Sequence, residues 1–118
     1  MDRYRSLEVW QVARQVSLSV LKQTDEHYHP RARGFFDQLR RSAVSIELNI
    51  VEGYALKTMG QFRRGLTIAL GSAAETECVL ELAAARGYLP ASASVGLHKL
   101  VTTVMRLLFG ILRTIHDK

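Results

Sequence analysis

Cysteine is almost missing from this chain. Cys78 is alone, so no internal disulfide can staple the fold, a pattern compatible with a reducing compartment. Only two prolines occur, Pro30 and Pro90, which leaves long stretches free of the residue that breaks helix interiors. No run of about 18 apolar residues is present, so no transmembrane helix is indicated. The opening Met1-Asp2-Arg3-Tyr4-Arg5 has no apolar core of a secretory signal. β-type alternation, low-complexity tracts and repeats are missing too. These absences read as a cytoplasmic, disulfide-free helical protein. At 118 residues and 47% hydrophobic content, one domain spanning 1–118 with a real core is expected.

The two prolines mark breaks. His27 to Gly34 surrounds Pro30, which biases His29 towards extended backbone. Gly87-Tyr88-Leu89-Pro90 is the second break, with Gly87 in the position that follows a helix C-terminus. A softer break runs from Gly53 to Thr58, where Thr58 and Gln61 fit a capping box that starts the next helix. Four helices are therefore predicted, over about 6–26, 35–55, 59–86 and 92–116. Each carries an apolar stripe of period near 3.6. In the first, Val9, Trp10, Val12, Ala13, Val16, Val20 and Leu21 line up. In the second, Leu39, Ala43, Ile46 and Ile50 do so. In the third, Phe62, Leu66, Ala69, Ala73, Leu80 and Ala83 make a stripe flanked by Gly65 and Gly71. Each mid-helix glycine costs about 1 kcal/mol against alanine, so both are expected where another backbone comes close.

The second helix also carries a polar row. Arg41, Ser45, Asn49 and Glu52 fall at i, i+4, i+8 and i+11, one face of a helix. Beside the apolar stripe these groups need partners. The expected arrangement is a buried polar network of Arg41, Ser45, Asn49, Glu52 and Glu75 tying helices two and three. The competing reading is an enzyme that uses the Arg41, Asn49 and Glu52 row, but no catalytic signature accompanies it. Ser42, Ser45 and Ser72 have no His and Asp arrangement for a triad. The scattered glycines do not make a phosphate loop. Cys78 has no basic neighbours in sequence and is expected as a small core residue.

Metal chemistry is not expected either. His27 and His29 form a lone pair in a loop, and His98 and His116 lack i, i+4 spacing. Di-iron bundles need Glu-x-x-His on two helices, which this chain does not have. Glu77 and Glu81 are taken as a solvated face. No cofactor is implied.

Sixteen basic and eleven acidic residues leave a net charge of +5. The excess sits at the ends: six basic to four acidic groups over 1–34, four to one over 91–118, and six of each between. A pI near 9.8 makes polyanions plausible partners; surface solvation is the competing reading. Lys57, Arg63 and Arg64 should gather at one end of the bundle, with Arg40 pointing outwards. These four are the candidate phosphate contacts. Trp10 and Tyr4 could stack on bases, although Trp10 on an apolar face is more simply core. The fourth helix is apolar around most of its circumference, more than one bundle neighbour can cover. Met105, Leu107 and Phe109 are the candidate contacts with another subunit. The alternative is a fourth helix sunk centrally in a monomer.

Several of these segments, taken together, resemble a known family. Leu7-Glu8-Val9-Trp10-Gln11, Gln38 through Ile46, Asn49 through Gly53, and Ile68 through Ser72 with Glu75 look like bacterial four-helix-bundle proteins encoded in intervening sequences of large-subunit ribosomal RNA genes. The likeness spans about residues 5–90, and the Gly87-Tyr88-Leu89 turn also matches. This chain departs in having Glu47 and Leu48 where the family usually has proline and serine, so helix two is expected to be less kinked. It also has Leu56, Lys57, Thr58 and Met59 where the family tends to carry an arginine and a serine. The resemblance implies an all-α, up-down-up-down bundle assembled into a ring-shaped homo-oligomer, most simply a homopentamer. The family is similar in fold to the accessory protein of diversity-generating retroelements, a basic pentameric barrel that binds a reverse transcriptase and nucleic acid. A shared fold does not transfer function. The expectation is a non-enzymatic scaffold that binds itself and RNA or an RNA–protein complex, with no membrane partner. The alternative is a protein–protein interaction module with no nucleic-acid role.

Overall fold

The computed structural model describes residues 3–115. Among them are a 3₁₀ turn at Arg3–Ser6 and helix α1 over Glu8–Glu26. A second 3₁₀ turn at Pro30–Ala32 leads into α2 at Arg33–Ala55, followed by α3 at Met59–Ala85 and α4 at Ala91–Thr114. Each helix packs on the next, and α4 closes against α1, giving an all-α four-helix bundle. Residues 27–29 and 56–58 join the first three helices, and turns this short force antiparallel neighbours.

Local chemistry sets the ends. The Arg3–Ser6 turn takes the residues before Glu8, so α1 starts there rather than at residue 6. His29 is extended at φ −153° and Pro30 opens a 3₁₀ turn that runs straight into α2. Proline suits a first helical turn, where its missing N–H is not needed, so Gly34 lies inside the helix rather than in the break. The Thr58 side chain accepts a bond from the Gln61 N–H at 3.1 Å and starts α3. Gly87, at φ +76°, ends it: the Gly87 and Tyr88 N–H groups reach back to the Ala84 and Ala83 carbonyls, each at 2.9 Å, in a Schellman closure. His116 lies outside the described residues.

The core is built from Val9, Trp10, Ala13, Val16 and Val20 of α1 and Phe36, Leu39, Ala43, Ile46 and Ile50 of α2. They meet Leu66, Ala69, Ala73, Leu80 and Ala83 of α3 and Leu97, Val101, Val104 and Leu108 of α4. Leu21 is exposed and Thr24 is buried instead, with its hydroxyl bonded to the Val20 carbonyl at 2.7 Å.

Helices α2 and α3 touch backbone to backbone. A Cβ on Gly65 would lie 2.5 Å from the Asn49 carbonyl oxygen and 2.9 Å from Gly53 Cα. Gly71 corrects the expectation for the other mid-helix glycine, since a Cβ there would meet nothing within 4 Å. Helix α4 stands at the opposite extreme. It is long and apolar enough to cross a membrane by length and composition alone. In this fold only Leu97, Val101, Val104 and Leu108 of α4 are buried, at spacings that make one stripe.

Candidate nucleic-acid interface

The α2–α3 turn brings basic and aromatic groups together at one end of the bundle. Lys57 ends α2 in the left-handed region, at φ +64°. A side chain there is unfavourable by about 1–2 kcal/mol. Thr58 then caps α3, whose free N–H groups form the positive end of the helix dipole. Tyr4, Tyr54, Ala55, Lys57, Thr58, Met59 and Phe62 surround an open cavity of about 600 Å³. Tyr54 and Phe62 meet edge to face with centroids 5.7 Å apart. Tyr4 meets Trp10 in the same way at 5.4 Å, and the Arg5 guanidinium lies 5.0 Å from the Tyr4 ring centre. Trp10 is buried core, so Tyr4 is the ring available at the surface. A cation, a helix N-terminus and aromatic edges around one opening suit an anion that carries a flat ring.

The four candidate phosphate contacts separate. Lys57 and Arg64 are exposed. Arg63 is half-buried and donates to the Ile115 carbonyl oxygen at 3.0 Å, tying α3 to the end of α4, where a positive charge suits the helix dipole. Arg40 is partly buried and paired with Asp37 at 2.8 Å. It does not reach the α2–α3 end and is a local helix pair. The basic end therefore rests on Lys57 and Arg64.

The expected polar network is corrected. Arg41, Glu52 and Glu75 are exposed. Arg41 donates to Gln38 Oε1 at 2.8 Å, and Gln38 donates to Glu75. Ser45 and Asn49 are half-buried. Asn49 donates to the Ser45 carbonyl at 2.8 Å and to its hydroxyl at 3.0 Å, and Ser45 meets Ser72 across the seam at 2.8 Å. Arg41 and Glu52 sit farther round the helix from Ile46 and Ile50 than Ser42 and Asn49 do, so the row straddles the helix edge. The buried polar contact lies between hydroxyls: Thr76 Oγ1 is 2.9 Å from Ser42 Oγ and 2.7 Å from the Ser72 carbonyl oxygen. Small hydroxyls on both helices, at positions where their backbones must approach, were the available signal.

A second polar tie joins α1 to α2. Glu47 is buried and accepts from Arg14 Nε at 2.7 Å, while the Arg14 guanidinium lies 4.9 Å from the Trp10 ring centre. This is the position where the family usually has proline. Here α2 runs unbroken through it, and the carboxylate holds α1 instead.

The subunit-contact residues also divide. Met105 and Leu107 are half-buried and pack in part against the chain's own core. Phe109 is 50% exposed, and Val95, which is not among the three candidate contacts, is 56% exposed. Cys78 is exposed rather than core. His98 of α4 faces Glu77 and Glu81 of α3, at 3.3 and 3.5 Å. Helical spacing within either helix could not show that meeting.

The chain matches the family model described as 23S rRNA-intervening sequence protein over residues 5–110. It is similar to a protein of unknown function from the S23 ribosomal protein family of Bacteroides thetaiotaomicron VPI-5482, solved by crystallography at 1.70 Å. The two share 25% identity at a TM-score of 0.80, over 90% of this chain and 99% of that one. No curated protein matches it. On sequence and fold together, this chain belongs to the 23S rRNA-intervening sequence protein family.

Proposed function

We propose that this chain is a cytoplasmic, non-enzymatic scaffold that assembles into a ring, most simply a homopentamer. In this reading it binds RNA, alone or within an RNA–protein complex, through the α2–α3 end of each bundle. The observation that carries the reading is the exposed Lys57 in left-handed backbone beside an opening rimmed by Tyr4, Tyr54 and Phe62. Lys57 and Arg64 contact phosphate, and the rings stack on unpaired bases. Such contacts give affinity with little sequence preference. A ring repeats the +5 charge of each chain around one axis, which raises the local field that draws in a polyanion.

The test is titration of a labelled single-stranded RNA at several salt concentrations, with Lys57→Ala/Arg64→Ala beside the parent protein. Loss of two phosphate contacts lowers the salt slope by about 1.4 for a single strand. Arg40→Ala, which removes a group held by Asp37, should leave the slope in place. Unchanged affinity and slope in the double variant would remove this end from RNA binding.

A second reading has its own support. Leu18, Leu48, Val95 and Phe109 are each at least half exposed, which favours a protein-interaction module whose basic residues only solvate it. A protein partner that stays bound after nuclease treatment, with no RNA retained, would favour that reading.

A further inference from the structure

We propose that Glu77, Glu81 and His98 form a binding site for a divalent transition metal of the zinc class, bridging α3 and α4. The two glutamates are one helical turn apart on α3, so their carboxylates lie on the same face. Helix α4 places His98 Nε2 opposite them, 3.3 Å from Glu77 Oε2 and 3.5 Å from Glu81 Oε2. One ligand atom from each residue falls within 4.8 Å of the others.

The spacing suits an ion better than a direct pair. A charge-assisted N–H to carboxylate bond is about 2.7–2.9 Å, shorter than either separation. Zinc bound at about 2.0–2.2 Å by nitrogen and oxygen sets tetrahedral ligand edges of about 3.3–3.6 Å, which the two nitrogen–oxygen separations match, while the edge between the carboxylates lies within 4.8 Å. Compensation is also missing. Among the described residues, neither carboxylate is paired with a lysine or arginine, although the chain carries a net +5. The imidazole is their only charged partner there, and only when it is protonated. A divalent ion would neutralise both carboxylates and use the imidazole in its neutral form.

The ligand set narrows the ion. One nitrogen and two carboxylates suit zinc and its neighbours, whereas calcium wants six to eight oxygens and magnesium keeps most of its water. The three side chains are between 33% and 63% exposed, which leaves the fourth coordination position to water. An ion held only by the folded chain would pin α4 to α3 by mass action.

The experiment is calorimetric titration of the full-length, metal-stripped protein with zinc chloride, with thermal unfolding recorded with and without zinc. The expected result is one equivalent bound per chain and a rise in Tm that magnesium does not reproduce. His98→Ala and, separately, Glu77→Gln/Glu81→Gln should each lose that equivalent and the Tm rise while keeping parental helicity by circular dichroism. His27→Ala/His29→Ala should retain both. Absence of zinc binding by the parent protein would overturn the site. Retained binding in either folded ligand variant, or loss in the His27/His29 variant alone, would overturn it as well.

Discussion

The α2–α3 seam and the outer flank of α4 stand at opposite ends of a scale of commitment. At the seam the backbones meet at Gly53 and Gly65, and Ser42, Ser45, Ser72 and Thr76 face one another across it. Small residues let the helices close, and the closure then needs hydroxyls that bond to each other or to a carbonyl. On α4 a single stripe is buried, while Val95 and Phe109 stay exposed about four turns apart on one side. The seam answers to one partner surface only. The α4 flank is apolar without being used by its own chain. One fold thus holds a contact that specifies the bundle and an apolar surface that its own chain leaves uncovered.

The sharpest way to break this contrast is Gly65→Ala. Its Cβ would fall 2.5 Å from the Asn49 carbonyl oxygen, with Gly53 Cα at 2.9 Å. Both neighbours are backbone, so the helices must move apart. Overpacking of this kind costs about 3 kcal/mol, which outweighs the roughly 1 kcal/mol by which alanine normally favours a helix interior over glycine. Gly71→Ala is the internal control. Nothing lies within 4 Å of its Cβ, and helix propensity should make it stabilising by about 1 kcal/mol. Urea unfolding of the two variants gives opposite signs if the seam is as tight as described. Matching signs would show that α2 and α3 have room to spare.

Thr76→Val probes the hydroxyl half of the seam at nearly constant shape. It deletes the Thr76 hydroxyl that donates to Ser42 Oγ at 2.9 Å, leaving Ser42 its own 3.3 Å bond to the Leu39 carbonyl, and loss of such a buried bond costs about 1 kcal/mol. Ser42→Ala/Thr76→Val removes both groups and should recover part of that loss. A double variant that is simply the sum of the two singles would mean that the pair is not coupled.

These outcomes bear on what the residues disclose in advance. The four helices, their stripes, the Thr58 cap and the Gly87 closure follow from local rules, because each depends on residues a few positions apart. The Arg41 to Glu52 row shows where such rules stop. Its spacing marks a face but not how far that face turns from the core, and Arg41 and Glu52 fall on the solvent side. The ties that do form, Glu47 to Arg14 and Ser45 to Ser72 among them, join two helices. So does the meeting of His98 with Glu77 and Glu81. Pairing across helices depends on rotation and axial offset, which periodicity within one helix does not contain. The apolar excess of α4 was legible, but its division between Met105 and Leu107 on the core and Phe109 outside was not.

Lys57→Gly sets stability against binding at the basic end. Glycine occupies φ +64° without the penalty a side chain meets, so the fold should gain about 1 kcal/mol. The same change deletes a cation. If Lys57 contacts phosphate, the variant is more stable and binds RNA more weakly, with a salt slope lower by about 0.7. Greater stability with unchanged binding would leave the strained lysine without a part in RNA recognition.

Phe109→Ser has the smallest expected effect on the single chain and the largest bearing on assembly. The ring is half exposed and its neighbours on that side include Arg106 and Arg113, so replacing it removes little buried area from the bundle. Surface changes of this kind stay within about 0.5 kcal/mol. If copies of the chain meet through this flank, Val95→Ser/Phe109→Ser should shift the particle mass measured by light scattering towards the monomer. Unfolding must be followed at a concentration where the parent is also dissociated, because a subunit contact adds to apparent stability. A mass shift with unchanged monomer stability assigns the flank to assembly. A stability loss as large as that of Gly65→Ala would mean that α4 is held by its own chain on this side too, and the contrast with the seam would disappear. An unchanged mass with unchanged stability would release Val95 and Phe109 from the subunit contact and leave this flank open to another protein.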